Sequence, residues 1–288
     1  MTIESVAADP SSPFINDSVR SRQPSHQQLA MSDLRDGFKK WTVWFMLAYQ
    51  DVKLRYRRSV LGPFWITLSM AITVYSMGYL YGHLFHSNLQ VYFPFLVAGM
   101  LAWSLISSQF SDLTEAFTQS ESLVKQIKLP YSLYIHRVAM RNVIIFFHNI
   151  IVMLPILAIY HEVAKVNFYT LMLIPGLLVI YINSISYGLI LGMLGARYRD
   201  IVQIVRSLIQ VAFFLTPIMW NPVLLPEEDR FIVLLNPFYS FVELIRAPLL
   251  GAQPEWTTFG MVALITSMGL FLCMKMFSKY RARIVYWL

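Results

Sequence analysis

KLRYRRSVLGPFW, residues 53–65, is the junction on which the reading of this chain turns. Lys53, Arg55, Arg57 and Arg58 crowd against a Leu61-Gly62-Pro63 turn. Past the turn the chain is apolar for about twenty residues, the length of helix that crosses a bilayer core. Upstream, Leu34, Phe38, Trp41, Phe45, Ala48 and Val52 recur at steps of three and four and so share one helical face. Lys39, Lys40, Asp51 and Lys53 fall largely elsewhere. A basic amphipathic helix carrying Trp41 and Trp44 is expected to lie in the membrane interface. The stretch is thus an elbow between a helix lying on the membrane and one crossing it. At Gly62 two reasons for glycine stand open: a backbone conformation closed to residues with a Cβ, or close approach to a neighbour.

The rest of the chain supports a membrane setting. Of 288 residues 57% are hydrophobic and 14% charged, where a soluble domain carries about a quarter charged residues. Six apolar stretches, near 64–84, 92–110, 142–160, 169–195, 205–220 and 257–275, predict an all-α integral membrane fold with six spans, the fifth of them short. Lys and Arg are retained on the cytoplasmic side. Nine precede the first span; Lys125, Lys128, Arg137 and Arg141 follow the second; Arg197, Arg199 and Arg206 follow the fourth; Lys275, Lys279, Arg281 and Arg283 end the chain. Only Lys165, Arg230 and Arg246 fall on the other side. Both termini are therefore expected in the cytoplasm, and the net charge of +7 asks for no nucleic acid. Residues 231–250 are nearly long enough for a seventh span but carry Asn236, Pro237, Glu243, Arg246 and Pro248. Such residues are costly or helix-breaking in lipid, which predicts a re-entrant helical hairpin on the outer face, between spans five and six. Residues 1–33 are polar, without the apolar core of a signal peptide, and read as a disordered cytoplasmic tail ahead of one transmembrane domain, 34–288.

Catalytic signatures are missing from the sequence. There is no G-x-x-x-x-G-K-[ST], no H-E-x-x-H and no G-x-S-x-G. No span core carries Asp, Glu, Lys or Arg, since Arg206 and Lys275 lie at span ends. That disfavours a secondary transporter, which needs an ionisable relay or ligand; if the protein moves something uphill, the energy comes from elsewhere. A membrane enzyme acting on lipid-linked sugars is the other alternative, and it is disfavoured by the scatter of Asp200, Glu227 and Glu243. His83 and His86 lack a third metal ligand, His148 with Asn149 suits a bond between helices, and Cys273 sits in an apolar run as packing. No metal site is expected. Phe64, Tyr75 and Tyr79 share a face of span one and Trp103 lies in span two; as a channel lining they would suit a sugar ring, apolar on its faces and polar at its edge. The stretch 111–130 is polar, with Asp112 and Glu115 placed as an N-terminal cap and Pro130 as a stop.

Residues 55–65, Arg-Tyr-Arg-Arg-Ser-Val-Leu-Gly-Pro-Phe-Trp, resemble the entry to the first span of type-2 ABC transporter permeases that export O-antigen, capsule or teichoic acid. Residues 92–103, 123–130, Arg197-Tyr198-Arg199-Asp200, Thr216-Pro217-Ile218 and Leu235-Asn236-Pro237 extend the resemblance, which covers about 34–288. It implies a homodimer of permeases with two copies of a separate ATPase that binds ATP and Mg, no cofactor on this chain, and residence in the bacterial inner membrane. The implied cargo is an undecaprenyl-diphosphate-linked glycan, O-antigen or capsule. By this resemblance Arg55, Arg57, Arg58, Ser59, Leu61, Gly62 and Pro63 form the substrate entry loop. The arginines meet either the pyrophosphate or, as topology anchors, anionic headgroups. Glu115, Glu121, Leu123, Lys125 and Lys128 would contact the ATPase, and Asn236, Pro237, Glu243 and Arg246 would build the outer hairpin.

Overall fold

The computed structural model describes residues 24–288 except Tyr56 and Arg58. All regular structure among the described residues is helical. In chain order the helices are α1 (His26–Lys39), α2 (Trp41–Arg55), α3 (Phe64–Leu84), α4 (Leu89–Thr114), α5 (Glu121–Gln126), α6 (Tyr131–Asn149), α7 (Met153–Ile159), α8 (Leu173–Arg197), α9 (Asp200–Leu215), α10 (Arg230–Leu235), α11 (Pro237–Leu249), α12 (Trp256–Tyr280) and α13 (Ile284–Trp287).

Four helical stretches are long and apolar enough to cross a membrane: Leu89–Thr114, Tyr131–Ile159, Phe168–Arg197 and Trp256–Trp287. A fifth is reached if the pair Glu227–Leu235 and Pro237–Leu249, bent by 90° at Asn236, counts as one. α3 has the length but is diluted by Ser, Thr, Tyr and Gly, and α9 has only 16 residues. The helix expected as span one, α3, occupies the expected residues: Pro63 starts it and a turn at Phe85–His86 follows it. Span three starts earlier than expected, at Tyr131, so Arg137 and Arg141 are helical rather than in a loop. The helix expected as span five, α9, runs over Asp200–Leu215 rather than 205–220, because Thr216, extended before Pro217, stops it.

The amino-terminal region departs from expectation in two ways. Residues 1–23 of the expected tail lie outside the described residues, but 26–33 are the first two turns of α1. Ser25 caps that helix reciprocally with Gln28. The expected apolar stripe is divided: Phe38, Trp41 and Phe45 are exposed, while Ala48 and Val52 face the bundle together with Trp44 of α2 and Ala30, Asp33 and Gly37 of α1. The reason is steric. α1 lies so close to α6 that a Cβ on Gly37 would sit 2.1 Å from Ser132 Oγ, and only small side chains fit such an approach. The chain breaks helix at Lys40, which turns α2 onto α6.

α4 is the hub. Its Val97, Leu101 and Leu105 pack with Phe146, Ile180, Ile218 and Ile245 in one core, while Phe117, Tyr134, Met193 and Phe277 build a second. Close α4–α8 packing rests on Gly188, Gly192 and Gly195; at Gly195 a Cβ would lie 2.1 Å from the Thr114 carbonyl.

Candidate functional site

The elbow is built as its residue types require. α2 ends at Arg55, and Arg57 N–H still donates to the Leu54 carbonyl at 3.2 Å. Gly62 then adopts φ +54°, and a Cβ placed there would meet nothing within 4 Å. Of the two reasons open for this glycine, the left-handed backbone is therefore the one that applies. Pro63 follows at φ −61°, and the amides of Phe64, Trp65 and Ile66 donate to the carbonyls of Leu61, Gly62 and Pro63. This winds the turn directly into α3. Arg55, Arg57 and Leu61 are exposed, Ser59 is half-buried, and Arg58 lies outside the described residues. Neither Arg55 nor Arg57 has a carboxylate partner among the described residues.

Other arginines at the same end of the bundle are held. Asp51 of α2 takes Arg137 in a two-pronged bond, 2.8 Å from Nε and 2.6 Å from Nη2. Arg141 lies 3.8 Å from Asp51 and bonds Asp112 of α4 at 2.9 Å. Arg206 of α9 pairs with Glu115. These pairs lock α2, α4, α6 and α9 together just where the elbow begins. Asp33 does the same from α1. Its carboxylate accepts from the amides of Tyr131 and Ser132 at 3.0 Å each, from the Ser132 hydroxyl at 2.9 Å, and from Arg281 Nε at 2.8 Å. It thus caps α6 from a distant helix and ties the chain's last segment to its first.

Asp112 and Glu115 are consequently not an N-terminal cap. α4 runs through Thr114, and both carboxylates close its carboxyl end, each turned to an arginine. The stretch 111–130 is the last turn of α4, a 3-10 turn at Thr118–Ser120, and the six-residue α5. α5 exposes Glu121 and Lys125, which pair at 2.6 Å, together with Lys128 beyond it, while Leu123 and Val124 turn inward.

The aromatics proposed as a lining are not gathered on one space. Phe64 and Tyr79 lie on the exposed side of α3. The Tyr75 hydroxyl donates to the Val152 carbonyl at 2.6 Å, and Trp103 is buried against Phe213 and Phe238. α4 is wrapped on several sides, so its mid-span tryptophan becomes core. At the α10–α11 break Asn236 Oδ1 accepts from the Phe238 amide, and its Nδ2 donates to Thr216 Oγ1 at 3.0 Å and the Leu215 carbonyl at 3.3 Å. Pro237 occupies the first helical turn, as suits its missing donor. Arg246, 2% exposed, bonds Glu243 at 2.9 and 2.5 Å and the Pro217 carbonyl at 2.7 Å, and lies 4.1 Å from the Phe95 ring centre. The i, i+3 pair expected from the sequence is formed.

Sequence reasoning missed Asp33, Arg281 and the Asp51–Arg137–Arg141–Asp112 series. Ser25-x-x-Gln28 was a signal for α1; nothing local announces pairings between residues so far apart.

Comparison with known proteins agrees with this architecture. The family model described as ABC-2 type transporter matches residues 42–250. The chain is similar to the O-antigen export system permease protein RfbA of Klebsiella pneumoniae, 21% identical over 201 residues, 68% of this chain and 76% of that protein. The Myxococcus xanthus O-antigen export system permease protein RfbA is 22% identical over 204 residues, 70% and 77% of the two chains. The polysialic acid transport protein KpsM of Escherichia coli is 24% identical over 255 residues, 86% and 96% of the two. With several apolar helices and a family match spanning the elbow, α3 to α9 and the α10–α11 break, the chain is a multi-pass membrane protein of the ABC-2 type transporter family.

Proposed function

We propose that this chain is the membrane-spanning subunit of an ATP-driven exporter that moves a lipid-linked polysaccharide, of the O-antigen or capsule class, out of the bacterial cytoplasm. The observation that carries the reading is the elbow. Exposed Arg55 and Arg57 stand without a carboxylate partner among the described residues, just before a left-handed Gly62 that feeds a long helix. A guanidinium is a planar, permanently charged fork that suits a pyrophosphate at headgroup level. The exposed aromatic side of α3, with Phe64, Trp65 and Tyr79, offers faces on which sugar rings stack.

In this reading two copies of the chain pair and the glycan passes along their α3 faces. α3, α4, α6–α7, α8, α9 and α12 are the six spans, and α10–α11 is the re-entrant outer hairpin. Both termini are cytoplasmic. α5, with Glu121, Lys125 and Lys128 exposed, meets a separate ATPase that carries ATP and Mg. The relatives' names, O-antigen export permease and polysialic acid transport protein, support the cargo class. The test is deletion of the gene with complementation. Surface polysaccharide should vanish while lipid-linked glycan accumulates inside, and a tagged chain should co-purify an ATPase. Undiminished surface polysaccharide in the deletion strain refutes the proposal. A carboxyl-terminal tag labelled from outside intact cells refutes the six-span arrangement.

A further inference from the structure

A cavity of about 270 Å³, half open to the protein surface, lies between α4, α8, α11 and α12. Ile106, Phe110, Ile180, Leu191, Phe238 and Ile265 are part of its apolar wall. Its polar neighbours are already engaged. Gln109 Nε2 donates to the Ala139 carbonyl, Ser184 Oγ to Ile180, Tyr187 Oη to Ile265, and Asn183 Nδ2 to Val179 and Thr266. Asn183 Oδ1 has no partner but is itself buried, with under 1 Å² of surface, and offers nothing to a guest. A buried water needs two to four polar partners, and this wall presents almost none. An empty apolar void forfeits the dispersion contacts of everything lining it. Hydrocarbon is therefore the occupant that this wall favours.

From this we infer that the cavity is a binding site for one acyl chain of a membrane phospholipid, held as a structural lipid. The inference rests on the membrane-spanning reading, since α4, α8 and α12 are the walls and hydrocarbon is then the surrounding medium. Size agrees: an engineered apolar cavity of about 150 Å³ takes up benzene, so this larger one accommodates a chain segment. Met268, half exposed at the rim, is the adaptable side chain such a mouth favours. No residue of α2, α3 or α9 lines the cavity, which places it away from the elbow and from the α3 face assigned to the cargo. That separation favours a resident phospholipid over the carried lipid.

The experiment uses the full-length protein in native membranes and in detergent. A phospholipid with a photoreactive group midway along its acyl chain is expected to label peptides containing Ile106–Phe110 and Ile180–Leu191. Filling the cavity by Leu191→Phe and Ile265→Phe should remove that labelling while leaving labelling of exposed Leu264 and Leu272 intact. In detergent, added phospholipid should raise the melting temperature of the native chain, and the filled variants should lose most of that shift. Labelling confined to the exposed side of α12 overturns the inference. So does preferential labelling of the cavity by a photoreactive polyprenyl phosphate, which would assign it to the carried lipid, or an undiminished lipid shift in filled variants that fold. None of these readouts depends on export, so a failure of the export proposal is read separately.

Discussion

Asp33→Ala tests the packing of this bundle at its most connected carboxylate. The side chain is fully buried and serves two amides at the start of α6, the Ser132 hydroxyl, and Arg281, which is 28% exposed. Loss of a helix cap costs about 0.5–2 kcal/mol. Loss of a charge-assisted bond costs about 1.5–3 kcal/mol, more when the remaining partner stays shielded from water. Together the expected loss is about 3–4 kcal/mol; at about 2–4 °C per kcal/mol for chains of 150–250 residues, melting should fall by about 6–16 °C. The assay is thermal unfolding of the purified protein, followed by tryptophan fluorescence in one detergent. Asp33→Asn keeps one acceptor for an amide and loses the charge, so it should fall roughly half as far. Arg281→Ala leaves the cap in place and should cost less than Asp33→Ala, and the double variant should cost less than the sum of the two. If Asp33→Ala melts within about 2 °C of the native protein, the carboxylate is not holding α1, α6 and α12 together.

At Gly62 the penalty is conformational, so Gly62→Ala should cost about 1–2 kcal/mol locally and lower surface glycan, while Gly62→Asn, which tolerates positive φ, keeps more of it; equal loss in both, at equal membrane abundance, contradicts this. Changing Arg55 and Arg57 together to Lys preserves charge and topology but removes the guanidinium fork, and surface glycan should drop at unchanged permease level; normal export leaves the pair as topology anchors. Arg246→Met leaves Glu243 without its cation and should destabilise by about 3–5 kcal/mol, whereas adding Glu243→Gln should recover much of it; both are read by melting temperature. Alanine at both Glu121 and Lys125 removes an exposed pair worth about 0.3–0.5 kcal/mol, so stability should hold while ATPase co-purification weakens; full co-purification argues against α5 as the contact.

Where local punctuation exists, the fold was legible from sequence. Pro63 marks the start of α3, and Asn236-Pro237 marks the break before α11, because caps and prolines act within a few residues. Asp112 and Glu115 were misread for the complementary reason. Their spacing imitates a cap, but their partners Arg141 and Arg206 come from other helices. The bundle-facing side of α1 was not legible because it is built from Ala30, Asp33 and Gly37, small or charged residues that no apolar periodicity picks out. Trp103 shows the same limit. An aromatic in mid-span is either lining or core, and only its contacts with Phe213 and Phe238 decide.

The Asp33–Arg281 contact joins residues 248 positions apart, and this sets an order on the making of the protein. At about 5–20 residues per second of synthesis, Asp33 waits on the order of ten to fifty seconds after leaving the ribosome before its arginine exists. Through that interval α1 can dock on α6 through the amides of Tyr131 and Ser132, but the carboxylate that closes the bundle has no cation. Arrival of the turn that follows α12 is thus what seals the first helix. A chain that stops short of Arg281 carries an incompletely neutralised acid at its amino-terminal joint, a mark by which unfinished copies differ from finished ones before any partner is met.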